Sequence, residues 1–367
     1  MMKMQSVFGN TADCCGCGLC AELCPRGAIT MSTDREGFFY PNINQEICVD
    51  CGICQKVCPV INSGKCKNSA EGRFFAASHK SENVLMNSTS GGAFTAISDV
   101  ILDSGGLVCG ADFDDNFRVV HRITGDKKGR DRMRVSKYVQ SDITGLYKEI
   151  KYSVKYKTIL FSGTPCQCAA LRSYFGVEEP ENLFLCDVIC HSVPSPLVWK
   201  SYKKILEKEK GAKLTSVCFR SKKYTWNREN SNRGFLYTVE NADEVYEDDR
   251  YYDLFIHKRV ISRPSCEKCR FCDTHRASDM TIADCWGVEK HEPKLYNPKG
   301  VSLIITNTPK GEKMLEAISH SMNISQRPKE EITAEQQRLL YPVEYPKERA
   351  LFWNHDNIDI SALFVSK

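Results

Sequence analysis

A cysteine run that occurs twice constrains this chain more than any other feature. The first copy reads Cys14-x-x-Cys17-x-x-Cys20-x-x-x-Cys24-Pro25, and the second reads Cys48-x-x-Cys51-x-x-Cys54-x-x-x-Cys58-Pro59. This is the bacterial spacing for a pair of 4Fe–4S cubes, in which the fourth cysteine of each run ligates the other cube. That rule puts Cys14, Cys17, Cys20 and Cys58 on one cube, and Cys48, Cys51, Cys54 and Cys24 on the other. Gly16, Gly18 and Gly52 allow the tight ligand loops, and the proline after each fourth cysteine ends the run. The stretches 28–31 and 37–41 read as short strands joined by a polar turn. A zinc site needs four ligands and seldom comes as two such runs, and a disulfide knot belongs to small secreted chains. Cys15 falls outside the spacing and reads as a bystander thiol.

The chain has 367 residues and 20 cysteines, too long and too rich in lysine and glutamate for a disulfide-stapled mini-protein. Clustered thiols in such a chain point to metal ligation in a reducing compartment. A net charge of +4 is too small to imply nucleic acid or an anionic membrane as a partner. Cys14, Cys17 and Cys20 interrupt any signal-like apolar run, and no stretch is long enough to span a bilayer. A cytoplasmic location is expected.

Residues 1–62 are expected to form an α+β ferredoxin-like domain with two 4Fe–4S clusters. The polar, glycine-containing segment 63–72 reads as a linker, and Cys66 within it has no partner in spacing. From 73 the pattern becomes that of an α/β domain. Residues 74–78 read as a strand. A helix follows with Ser90 as its N-cap and Phe94, Ile97 and Ile101 on its apolar face. Strands are expected near 107–113 and 117–123. Residues 158–161 and 183–190 read as parallel strands around a helix over 166–174, a βαβ unit. Ser195-Pro196 opens a further helix ending at Gly211. The larger domain is placed at 73–325, with a C-terminal helical tail over 326–367. In that tail Thr333-x-x-Gln336 has the form of a capping box.

Ligands of open α/β sheets sit beyond the carboxyl ends of the strands. Cys166 and Cys190 both fall at that edge. The turn Ser162–Pro165 leads into a helix N-terminus that suits an anionic group, although on its own it reads as an ordinary strand-to-helix turn. A third cysteine group follows, Cys266-x-x-Cys269-x-x-Cys272, with Cys285 beyond. Three thiolates cannot complete a cube alone. The remainder can come from Cys285, or from Cys166 and Cys190. A zinc site on Cys266, Cys269, Cys272 and either Cys285 or His275 is the alternative.

Five segments in order carry a resemblance: Ser90–Thr95, Gly163–Gln167, Cys190–Pro196, Ser265–Cys269 and Ala283–Gly287. Across roughly residues 73–310 the chain resembles the coenzyme F-420 hydrogenase/dehydrogenase beta-subunit family. That resemblance implies a flavin-binding α/β domain, FAD, and a third 4Fe–4S cluster on Cys166, Cys190, Cys266 and Cys269. It implies FAD contacts at Ser90, Gly91, Gly92 and Thr95, at Ser136, Lys137 and Tyr138, and at Gly163 and Thr164. Cys272 and Cys285 depart from the family pattern. The implied activity is that of an oxidoreductase, with a small-molecule hydride donor or acceptor on one side and a redox partner protein or subunit on the other. The alternative is a multi-cluster ferredoxin-type electron carrier without flavin.

Read singly, Lys137 is a solvated surface lysine and His191 a packing or hydrogen-bonding residue. Lys222–Arg228 mixes basic and aromatic residues, but no nucleic-acid motif accompanies it. It reads as a solvated face or a loop bordering the active site. Glu207–Lys210 reads as a helix end facing water.

Overall fold

The computed structural model describes residues 6–354 and Phe364. Residues 1–5, and most of the expected tail beyond 354, lie outside the described residues.

The two cysteine runs build a pseudo-repeat. In each, a glycine in the left-handed region (Gly18 at φ 71°, Gly52 at φ 70°) starts a one-turn helix, Leu19–Glu22 or Ile53–Lys56. Only glycine takes that conformation without strain. Between the runs, β1 (Ile29–Thr33) pairs antiparallel with β2 (Phe39–Ile43).

The rest is a mixed α/β structure on an eight-stranded sheet. Its centre is four parallel strands: β4 (Leu107–Phe113), β6 (Ile159–Gly163), β7 (Leu183–Val188) and β11 (Met280–Asp284). At one flank β5 (Val119–Thr124) runs antiparallel to β4. At the other, β12 (Ser302–Thr306) pairs with β11, β3 (Arg73–His79) with β12, and β13 (Met322–Arg327) with β3, all antiparallel. A separate three-stranded sheet, β8 (Leu214–Cys218), β9 (Leu236–Val239) and β10 (Tyr246–Glu247), is not expected from the sequence pattern.

The apolar runs at 159–161 and 183–186 follow from burial on both faces. Leu160, Phe184 and Cys186 pack with the helices Ala93–Asp103 and Pro309–Ile318 through Ile97, Ile101, Met314 and Ile318. Ile159, Phe161, Leu183 and Leu185 face the opposite way, onto Ile150, Leu171 and Leu19 of the first cysteine run. Truncating a core residue such as Leu160 to alanine would cost about 2–5 kcal/mol.

Between β6 and β7 lies the helix Pro165–Phe175, begun by a reciprocal capping box of Thr164 and Gln167. Ser195 caps the helix Pro196–Lys210, and Gly211 at φ 64° ends it. Other local expectations are corrected. The helix at 93 is preceded by Gly92 at the cap, because the Ser90 hydroxyl is occupied with the Val301 carbonyl at 2.8 Å. Thr333 caps nothing: it lies inside the helix Lys329–Glu335, its hydroxyl turned back to the Glu330 carbonyl. Glu207 does not simply face water, since it accepts from Lys203 at 2.7 Å and from the Leu214 amide.

Segment 63–72 packs against the larger part. Cys66 is buried, Asn68 bonds the Arg276 and Ser278 carbonyls, and Lys67 pairs with Asp273 at 2.7 Å. Strand β13 carries the sheet to Arg327, past the expected limit at 325. Among the described residues no helix is long and apolar enough to cross a membrane.

Candidate functional site

The carboxyl ends of β6, β7 and β11 open onto a cavity of about 520 Å³. From β6 come Gly163, Thr164 and Cys166, and from β7 Cys190 and His191. Strand β11 contributes Asp284 and Trp286. Ser90, Gly92 and Thr95 line the cavity from the start of the helix Ala93–Asp103, and Ser136, Lys137 and Tyr138 from a loop. Of the residues implied as FAD contacts, only Gly91 is not on this wall. It is packed so closely that a Cβ there would lie 2.4 Å from the Ser302 nitrogen and 2.5 Å from the Ala77 oxygen.

Several buried polar atoms on this wall lack a protein partner. They are Thr95 Oγ1, His121 Nδ1, Arg134 Nε and His191 Nε2. Orphaned polar groups are costly unless something else satisfies them. A polar ring system with a phosphate tail suits them, and the volume is within the range of cofactor sites. The residues therefore fit FAD. Burial lowers the His121 and His191 pKa values to about 4, so both rings are neutral near pH 7. His121 Nε2 lies 3.0 Å from the Ser162 carbonyl, which can only accept, so Nε2 carries the proton and Nδ1 is a bare acceptor.

Lys137 is not a solvated surface lysine. Its ammonium donates to the carbonyls of Arg132 (2.7 Å), Arg134 (2.8 Å) and Val135 (3.2 Å), and burial lowers its pKa to about 8. It shapes the 132–138 loop. His191 packs edge-on against Phe255 while lining the cavity. The 222–228 segment borders the cavity: Trp226 is buried, stacks on Trp286 at 4.9 Å, and donates to Asp284 at 2.7 Å. Asp284 also holds Arg220 at 2.6 Å.

The cysteines gather in three places. Cys24, Cys48, Cys51 and Cys54 surround one small cavity. Cys14, Cys20 and Cys58 are mutual neighbours, so ionising one disfavours ionising the next, and burial pushes the Cys20 thiol up to about 12. Cys17 joins the loop through Gly16, and its carbonyl accepts from Tyr147 at 2.8 Å. Backbone amides of Gly16 and Ala28 point at the sulfurs of Cys14 and Cys24, each at 3.3 Å. Such bonds tune cluster potentials.

The third group brings Cys166, Cys190, Cys266 and Cys269 together across the fold, each raising a neighbour's thiol pKa. Cys272 sits beside Cys269 and near Cys190, and its hydrogen bond holds the Cys269 thiol below the usual thiol range. Cys285 stands elsewhere, packed with Phe74, Val288 and Val301. The sets containing Cys285 are therefore not assembled. Among the described residues no group of three or more His, Cys, Asp or Glu is gathered to hold a single ion. Cys15, a bystander by spacing, neighbours Cys166 and lines the large cavity.

Sequence reasoning missed Thr95's companions His121 and Arg134, as well as Arg220 and Arg263, none of which lies in a spaced motif. Asp284 and Trp226 fall in segments it had singled out, but their pairing was not foreseen. Arg263 stands three residues before Cys266 and is fully buried.

Residues 156–332 match the family model for the C-terminal part of the coenzyme F420 hydrogenase/dehydrogenase beta subunit. Residues 13–62 match that of the 4Fe-4S dicluster domain. No curated protein matches the chain. Among solved structures it is similar to a chain of the F420-reducing NiFe hydrogenase complex from Methanosarcina barkeri. The two are 18% identical, with 74% of this chain and 88% of that chain covered and a TM-score of 0.48.

Proposed function

We propose that this chain, which belongs to the coenzyme F420 hydrogenase/dehydrogenase beta-subunit family and carries a 4Fe–4S dicluster domain, is an FAD-dependent oxidoreductase. It exchanges a two-electron equivalent with a soluble hydride donor or acceptor, deazaflavin-like or other. It passes single electrons through 4Fe–4S clusters to a redox partner protein. The setting is the reducing cytoplasm, where the thiolates stay free for iron.

One observation carries this reading. The cavity wall is shared by eight of the nine implied FAD contacts and by cysteines of two sets, Cys15 and Cys17 from the first run and Cys166 and Cys190 from the third group. A flavin held there would take up electrons in pairs and release them singly. Ser136, Tyr138 and Gly163 would position it, and Thr95 and His121 would offer it a hydroxyl and an acceptor nitrogen. Phe94, Tyr138 and Trp286 on the wall would offer apolar contact to the ring. Cys166, Cys190, Cys266 and Cys269 would hold the third cluster next to the Cys14–Cys20 loop. The Cys24, Cys48, Cys51 and Cys54 set, with Cys51 exposed, would be the outlet to the partner.

Anaerobic purification with iron, sulfide, zinc and flavin quantified per chain tests the reading. About twelve irons and one FAD are expected. About eight irons with no flavin, even after reconstitution with FAD, would leave the flavin-free electron carrier. The binding of Lys137 to three carbonyls, which keeps its charge from a flavin, is the observation on that side.

A further inference from the structure

Arg263 is 0% exposed, and among the described residues its guanidinium bonds only carbonyl and amide oxygens, with no carboxylate in an ion pair with it. Its guanidinium is held by neutral acceptors on two sides. Nε donates to the Cys14 carbonyl at 2.7 Å and Nη2 to the Phe39 carbonyl at 2.8 Å, both in the N-terminal part. Nη1 donates to Gln140 Oε1 at 2.9 Å, and Gln140 in turn donates to the Cys15 carbonyl at 3.1 Å. The guanidinium lies over the Tyr40 ring at 4.4 Å and the Phe38 ring at 5.2 Å. Its own backbone carbonyl accepts from the Cys266 amide at 3.1 Å. A Cβ on Gly16 would lie 2.7 Å from Nη1, so only glycine lets the ligand loop approach this closely.

A buried cation without a counter-charge is expensive, and hydrogen bonds to carbonyls offset only part of that cost. Arginine cannot escape by losing its proton. A source of negative charge stands beside it: four thiolates around an iron–sulfur core leave a net negative charge, which grows on reduction. Arg263 stands against the Cys14 loop, and its neighbour Cys266 belongs to the third group.

We infer that Arg263 is a charge-setting residue between the two clusters, its guanidinium favouring the reduced form of the cube on Cys14, Cys17, Cys20 and Cys58. The inference rests on the cluster reading above. Losing the positive charge makes that cube harder to reduce, whereas the Cys24–Cys54 cube, farther along the chain of centres, holds its potential.

The test is an EPR-monitored redox titration of full-length protein as purified anaerobically, with iron and flavin counted on the same samples. In R263Q the reduction equilibrium of one cluster should weaken about tenfold, a midpoint about 59 mV more negative for a one-electron couple. R263K, which keeps the charge, should stay near wild type. An unchanged midpoint in R263Q with full iron overturns the inference, as does an equal shift in R263K, which would mark a purely structural role. If R263Q releases iron, Q140E carries the test, because it places a carboxylate on the guanidinium that already binds Gln140. Its midpoint should fall in the same direction, and an unmoved one overturns the inference. A wild-type protein without the expected irons would instead overturn the cluster reading itself.

Discussion

Cys15, the one cysteine of the first run outside the ligand spacing, neighbours Cys166, the first cysteine of the third group, and both line the large cavity. Only one of these two thiols is assigned to a cluster. Cys15→Ser should therefore keep about twelve irons, whereas Cys166→Ser should lose about four. Cys272→Ser should behave like Cys15→Ser, and Cys269→Ser like Cys166→Ser. Iron analysis and EPR of the four variants check this, and loss of a cluster in C272S would exchange the roles of Cys269 and Cys272.

Thr95 is 1% exposed with a hydroxyl that has no protein partner. If that hydroxyl meets a bound flavin, Thr95→Val removes one hydrogen bond while preserving shape. FAD binding should weaken by about 1 kcal/mol, roughly five-fold. Fluorescence titration of flavin-stripped protein reads it. Tighter or unchanged binding would mean that FAD does not reach this hydroxyl.

His121 carries a pH dependence. Its folded pKa is lowered from 6.5 to about 4, chiefly by burial. Between those values the unfolded chain binds a proton that the folded chain refuses, so stability falls as pH drops from 6.5 toward 4 and is unaffected above that window. At pH 5 the loss from this residue is at most about 2 kcal/mol. Denaturant unfolding at pH 7.5 and pH 5 should show a smaller difference for His121→Gln, whose amide can still donate to Ser162. An identical difference in the variant would remove His121 from the account.

The two N-terminal sets differ in their exposure. Cys51 is exposed, with Val49 at 59% and Ile47 at 41% beside it, whereas Cys14, Cys20 and Cys58 are buried. Brief treatment with air or a chelator should therefore remove about four irons before the rest. Timed iron release with EPR follows this, and simultaneous loss of all centres would contradict it.

Much of this site can be read from the chain because thiolate spacing and strand–turn–helix patterns are local. Cys166 and Cys190 fall at the ends of apolar runs, and a parallel pairing of those runs must bring them to one edge. Thr164 and Gln167 cap their helix within four residues. What is not legible depends on partners far apart in sequence. Arg263 meets Cys14 and Phe39 only after folding, and nothing in its neighbours marks it as buried. Trp226 sits in a stretch of mixed basic and aromatic residues whose partners, Asp284 and Trp286, lie some sixty residues away and draw it inward. The β8–β10 sheet includes strands too short for a period to emerge, Tyr246–Glu247 being two residues long. Thr333 shows the converse, a motif whose hydroxyl finds a nearer acceptor inside the helix.

The place of β3 in the sheet bears on how the protein is made. This strand follows directly on the N-terminal cysteine runs, yet its hydrogen-bonded neighbours are β12 and β13, the last two strands among the described residues. A nascent chain has all twelve proposed ligands in hand once Cys269 has left the ribosome, while β3 still has both edges bare. A product cut short before Ser302 would keep every cysteine and lack the strands that close the sheet. The chain thus delivers the proposed metal-binding side chains before the two strands that flank β3.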